Sequence, residues 1–168
     1  MMRKFMAVCL VMLVAHGASA ADCAGFKWPV AEELRLFGGP DTAAAAGRDE
    51  ATAALLQTGR LYRLALQEQE SVRLPVVPSK PMLTDGAYAG VVRVPLAAGR
   101  YRVALEAEFW VDVVSGGVPL PSADFSGSPG CDGPRKIVEY AIPATGEYLV
   151  QLSAATAPVV RVAITAVP

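Results

Sequence analysis

Histidine is all but missing from this 168-residue chain, in which His16 is the only one. Nothing beyond residue 16 can therefore build a Ser-His-Asp triad, a Cys-His pair, or a zinc or iron site that uses imidazole. No phosphate-cradling glycine motif of the P-loop or G-x-G-x-x-G kind occurs. Basic residues form no block, and 15 of them stand against 16 acidic ones, so nucleic acid is not an expected partner. After residue 15 no apolar run is long enough to cross a bilayer, so no membrane span is expected once a leader has been removed. Aromatic residues make up only 7%, and the apolar share leans on Ala and Val interrupted by 15 Gly and 13 Pro. Such a composition suits short strands and turns.

The N-terminus reads as a secretory signal peptide over residues 1–20. Arg3 and Lys4 give it a positive start, residues 5–15 an apolar stretch of eleven, and Ala18-Ser19-Ala20 a small-residue cleavage site. Cleavage would start the exported chain at Ala21, with 13 basic against 16 acidic residues and a net charge of −3. The expected location is the periplasm or the extracellular space. Of the three cysteines, Cys9 leaves with the leader, and Cys23 and Cys131 remain together in an oxidising compartment. A disulfide between them is the default inference. Two free thiols, or metal binding by the pair, are the competing readings.

Two period changes organise the rest. Pro29, then VAEELRLF with Glu32 and Glu33 near its start and Gly38-Gly39-Pro40 after its end, predicts a short helix. A second helix over residues 49–57 would have Asp49 as its cap and Gly59 as its stop. The tract between them, TAAAAG, reads as either helix or loop. From Gly59 the period becomes 2. Strands are expected at 61–67, 71–77, 88–96, 101–106, 109–114, 137–142, 148–153 and 159–167, the second pushed to an edge by Pro75 and Pro78. Residues 80–86 read as a loop, and the longer 115–133 as a loop or a pair of short extended pieces.

The most informative stretch is GRYRVALEA at 99–107, repeated as GEYLVQLSA at 146–154, 47 residues on, with a looser copy, GRLYRLAL, from Gly59 carrying one inserted residue. Each is a glycine turn followed by alternating apolar positions, which places Tyr101, Val103, Leu105, Tyr148, Val150 and Leu152 in a core. The two close copies would be equivalent hairpins of one fold. The fold expected is an antiparallel β-sandwich of about eight strands, jelly-roll-like, with one or two short N-terminal helices. The domain plan is residues 1–20 as leader, 21–58 as a helical segment packed on the sandwich, with Trp28 in that contact, and 59–168 as the sandwich.

Several of these residues carry a resemblance. Cys23 near Trp28 and a short helix, G-x-Y-x-V-x-L, Trp110-Val111-Asp112-Val113-Val114 with Gly116-Gly117 and Leu120, Cys131-x-Gly133-x-Arg135-Lys136, and G-x-Y-x-x-Q-L-S together resemble a family of small exported proteobacterial proteins. Its members often carry the name homogentisate 1,2-dioxygenase. That name implies a cupin-type enzyme holding iron with two histidines and a carboxylate, and this chain has no histidine after His16. The sandwich is also distantly similar to pre-peptidase C-terminal domains and jelly rolls.

Candidate binding residues are Trp110, Asp112, Asp124, Phe125, Arg135 and Lys136, on or beside the long 115–133 loop. Trp110 and Asp112 share one strand face. Trp110 is either a stacking platform with Asp112 as a polar partner, or a core residue with Asp112 held by Arg135, Lys136 or the amides of 115–117. Glu106 and Glu108 would be the carboxylate pair of a glycosidase, and Asp22, Asp124 and Asp132 could share a calcium ion, but no D-x-D repeat supports that. No catalytic residue, metal or cofactor is assigned. Two function classes remain. One is a noncatalytic binding or structural module for an envelope polymer, a carbohydrate or a protein. The other is an enzyme, either a histidine-independent hydrolase or the dioxygenase of the family name.

Overall fold

The computed structural model describes residues 23–80 and 85–168. The expected signal peptide, Asp22 and residues 81–84 of the expected 80–86 loop lie outside the described residues. One helix, α1 (Ala31–Phe37), and twelve strands follow: β1 (Thr42–Ala45), β2 (Ala54–Leu55), β3 (Leu61–Ala65), β4 (Gln67–Glu68), β5 (Tyr88–Leu96), β6 (Gly99–Leu105), β7 (Trp110–Ser115), β8 (Val118–Pro119), β9 (Ser122–Gly127), β10 (Lys136–Ile142), β11 (Gly146–Ala155) and β12 (Val159–Ala166). The strands form two sheets packed as a sandwich. One runs β1-β3-β12-β6-β10-β9 and the other β2-β5-β11-β7-β8, with β4 beside β5. Pairing is antiparallel except for β1 with β3 and β2 with β5, which are parallel.

Period-2 alternation makes the core. Val103 and Leu105 from β6, Tyr148, Val150 and Leu152 from β11, Phe109, Val111 and Val113, and Val138, Tyr140 and Ile142 from β10 meet between the sheets. Tyr101, expected inside, is only half-buried at the margin of this cluster.

The repeated glycine-tyrosine motif has a structural meaning. β5 and β6 lie in different sheets, as do β10 and β11, so the chain crosses the sandwich at each copy. These are arches rather than the expected hairpins. They interlock, because β6 pairs with β10 while β11 pairs with β5. Gly99 sits opposite Ile142 and Gly146 opposite Leu96. In each arch the tyrosine hydroxyl bonds the backbone four residues back. Tyr101 accepts from the Ala97 N–H at 3.2 Å, and Tyr148 donates to the Ala144 carbonyl at 2.6 Å. In the looser copy, which leads from β2 in one sheet to β3 in the other, the Tyr62 hydroxyl accepts from the Gln57 N–H at 3.0 Å, five residues back. The crossing backbone needs partners where the ladder stops, and the tyrosine supplies one.

Both sheets are covered outside as well. Helix α1 sets Leu36 and Phe37 on Leu61, Ala104, Ile137 and Ala163, with Trp28 packed alongside; each such side chain contributes about 1.5–3 kcal/mol. Glu33, read from sequence as a first-turn acid, is buried. Its carboxylate accepts from the Thr165 hydroxyl at 2.7 Å and lies 3.8 Å from Arg102. Arg102 also meets Glu139 at 3.2 Å, bonds the Pro29 carbonyl and lies over the Trp28 ring.

Two expected elements are absent. Residues 49–57 hold no helix. Asp49 instead accepts from the Thr52 N–H and hydroxyl in a tight turn, and the chain then pairs as β2. Short side-chain bonds of this kind compete with helix formation. The strand expected at 71–77 is replaced by a 3-10 turn (Gln69–Ser71) and an irregular strap, since Pro75 and Pro78 cannot donate to a ladder. The TAAAAG tract begins as strand β1, which ends at Ala45. Residues 42–55, expected with the helical segment, thus supply strands to both sheets.

Candidate functional site

Strand β7 has β11 on one side and only the two-residue β8 on the other, so much of its far edge is open. Side chains and one amide from neighbouring segments occupy the carbonyls along that edge. The Lys136 ammonium donates to Phe109 O at 2.7 Å, the Tyr140 hydroxyl to Val111 O at 2.9 Å and the Leu120 N–H to Val113 O at 2.8 Å. Lys136 and Tyr140 belong to the opposite sheet, so these bonds tie the two layers together.

Beside them, between β7–β8 and β9–β10, lies a cavity of about 800 Å³. Its buried wall includes Phe109, Val111, Val138 and Tyr140; Trp110, Leu120 and Lys136 are half-buried; Phe125, Glu108 and Lys80 form an exposed rim. Volume and an apolar lining with a few convergent polar groups are those of a small-molecule site.

Of the six residues singled out from sequence, four line this cleft: Trp110, Asp112, Phe125 and Lys136. Asp124 and Arg135 do not. Asp124 pairs with Lys27 at 2.8 Å, and that ammonium, with the Phe125 N–H, holds its carboxyl below the ordinary range. Arg135 is exposed, and its backbone bonds Leu105 and Ser128.

Trp110 is neither a core residue nor a free platform. It is half-buried, with Lys136 Nζ 5.0 Å and Lys80 Nζ 5.8 Å from its ring centre. Asp112 is buried but meets neither Arg135 nor Lys136, nor the 115–117 amides. It accepts from Trp110 Nε1 at 3.0 Å, from Gln151 Nε2 at 2.9 Å and from the Ser79 hydroxyl. Gln151 in turn accepts from the Val76 N–H at 3.2 Å. This network fastens the 72–80 strap across the outside of the sheet and fixes the Trp110 ring.

The titratable groups of the cleft respond to burial. Desolvation lowers the Lys136 ammonium from its ordinary value, with Glu108 and Asp112 opposing and Lys80 assisting. Burial pushes the Tyr140 phenol up, and the Asp112 charge adds to the shift. Sequence reasoning missed Ser79, Lys80 and Tyr140. Only Tyr140 carried a signal, a hydroxyl within an apolar alternation, which must find a partner when buried.

The other candidate chemistry is dispersed. Glu106 is held by Arg161, at 2.6 Å from its N–H and 2.9 Å from Nε, while Glu108 lines the cleft. Among the described residues no three His, Cys, Asp or Glu side chains come together as metal ligands. Cys23 and Cys131 are disulfide-bonded, Cα atoms 4.5 Å apart, which pins the N-terminal segment beside the β9–β10 loop.

The chain matches no family model, no curated protein and no solved structure. What the fold and the cleft define by themselves is a disulfide-bonded β-sandwich with an apolar, lysine-bearing cavity between its layers.

Proposed function

We propose that the protein is a noncatalytic binding module of the periplasm or the extracellular space, and that its ligand enters the cleft between β7–β8 and β9–β10. The observation that carries this reading is the cleft itself, with an apolar wall, a fixed indole and a lysine at one place. A disulfide across residues 23 and 131 supports export, since such bonds persist in oxidising compartments. The cavity has room for a small molecule, or for the end of an envelope polymer, a carbohydrate or a protein segment. The two-histidine iron centre of a dioxygenase has no ligands after His16.

The test is purification from the native envelope, followed by mass spectrometry under native conditions. A bound species should accompany the wild type, be recovered chemically unchanged, and be lost from Ser122→Trp, which fills the cleft from its exposed rim. A bound species retained by that variant, or one released as a reaction product, would contradict the proposal.

A further inference from the structure

The cations of this protein divide sharply. Among the described residues, Arg93, Arg102, Arg161 and Lys136 are the half-buried ones. Arg93 pairs with Glu147, Arg102 with Glu33 and Glu139, and Arg161 with Glu106. Among the described residues, no carboxylate lies within ion-pair distance of Lys136. Its ammonium has one neutral acceptor, Phe109 O at 2.7 Å, and the face of Trp110. An ammonium has three donors. A half-buried cation in this position sacrifices hydration while the carboxylates that attract it, Glu108 and Asp112, stay beyond ion-pair distance, which costs stability.

The surroundings say what would complete it. Lys80, also without an ion-pair partner among the described residues, lies on the other approach to the same indole. Behind them the cleft wall is apolar, formed by Phe109, Val111, Leu120 and Val138. Charge thus belongs at one end of the ligand and apolar bulk at the other. A neutral sugar would leave the ammonium unpaired and bury its own hydroxyls against that wall.

Building on the reading of the cleft as a ligand site, we infer that its ligand is a carboxylate carried on an apolar body, of the fatty-acid or arylalkanoate class, with the carboxylate on Lys136 and the body between the sheets. Lys80 supplies a second, solvent-side attraction. Trp110 holds the lysine in place through its ring face and is itself held by Asp112.

The burial that lowers the Lys136 pKa gives the interaction a pH signature. The groups facing this lysine are Glu108, Asp112 and Lys80. The ammonium form binds the anion, so affinity is present below the lowered pKa and is lost as pH rises through it toward 10.5, lysine's ordinary value.

Isothermal titration of the full chain with its disulfide intact tests this, using decanoate below its micellar concentration and decanol as the neutral probe of equal length. Decanoate is expected to bind at one site, with decanol about tenfold weaker or worse, the loss of one charge-assisted hydrogen bond. Lys136→Met should weaken decanoate by a similar factor and remove the preference for acid over alcohol. Lys136→Arg should keep that preference, and thermal melts of both variants confirm that they fold. Equal binding of acid and alcohol to the wild type, both abolished by Ser122→Trp, would overturn the carboxylate assignment and leave the cleft as a site. Binding that survives Ser122→Trp would overturn the cleft reading as well. Absence of binding by either probe, or decanoate binding unchanged in Lys136→Met, would overturn the inference.

Discussion

The hydroxyl of Tyr140, on one sheet, donates to the carbonyl of Val111, on the other, at 2.9 Å. This bond spans the two layers beside the cleft and satisfies a strand-edge carbonyl that has no neighbouring strand. Tyr140→Phe keeps the ring and strands the carbonyl. The expected loss is about 1–3 kcal/mol, read from urea unfolding. A variant as stable as the wild type would show that the bond is not a strut between the sheets.

The disulfide closes a loop with a sequence separation of 108. In the chain-entropy picture a bridge of this span stabilises by about 4–5 kcal/mol. Thiol titration of the denatured, unreduced protein should find no free thiol on residues 23 and 131, and Cys131→Ser should lower the melting temperature by many degrees. Two reactive thiols in the purified, unreduced protein would refute the pairing.

Gly90 has a packing role that its sequence context did not reveal. A Cβ there would sit 2.3 Å from the Ala46 Cβ. Each Cβ is fixed directly to its Cα with no torsion to move it, so neither side can swing away. Gly90→Ala is expected to cost about 1–3 kcal/mol by overpacking. Adding Ala46→Gly should return part of it, a non-additivity that a double-mutant cycle detects. Additive losses would mean that the two residues do not press on each other.

The alternation after Gly99 and Gly146 was enough to read strands, core residues and a sandwich. Which sheet each strand joins was not legible, because an arch and a hairpin share the same glycine and tyrosine. The difference lies in where the hydroxyl bonds, four residues back along the chain, and only the folded backbone shows it. The helix assigned to residues 49–57 failed for a local reason: Asp49, expected as its cap, accepts from Thr52 in a tight turn and no helix follows. In the cleft, the gathering of Trp110, Asp112, Phe125 and Lys136 followed from their places on or beside the 115–133 stretch, which folds as β8, β9 and the turns around them. Ser79 and Lys80 arrive from a strap remote in sequence, and Gln151 from a strand on the far side of β7. No local pattern announces such contacts. The 2-residue spacing of Trp110 and Asp112 was visible, whereas their bond to each other was not.

Lys136 should cost stability while it waits for a ligand. Its pKa is lowered on folding, chiefly by burial, so between that lowered value and 10.5 the unfolded chain binds more protons than the folded one. The contribution of this group to stability therefore rises with pH across that window and is lowest below it. Lys136→Met also strands the Phe109 carbonyl, so the diagnostic is the trend and not the level: its stability relative to the wild type should be highest at neutral pH and fall as pH climbs through the window. Urea midpoints at a series of pH values check the sign. A difference that stays constant or grows with pH would contradict the desolvated ammonium.

The most direct measurement of the central claim is a map of where a ligand lands. Backbone amide shifts followed by ¹H–¹⁵N NMR during decanoate titration should move most at residues 109–112, 120–127 and 136–140, saturate together with one dissociation constant, and leave the α1 face of the other sheet unmoved. Shifts centred on α1 or on residues 72–77 of the strap, or shifts that never saturate, would contradict the assignment of this cleft as the binding site.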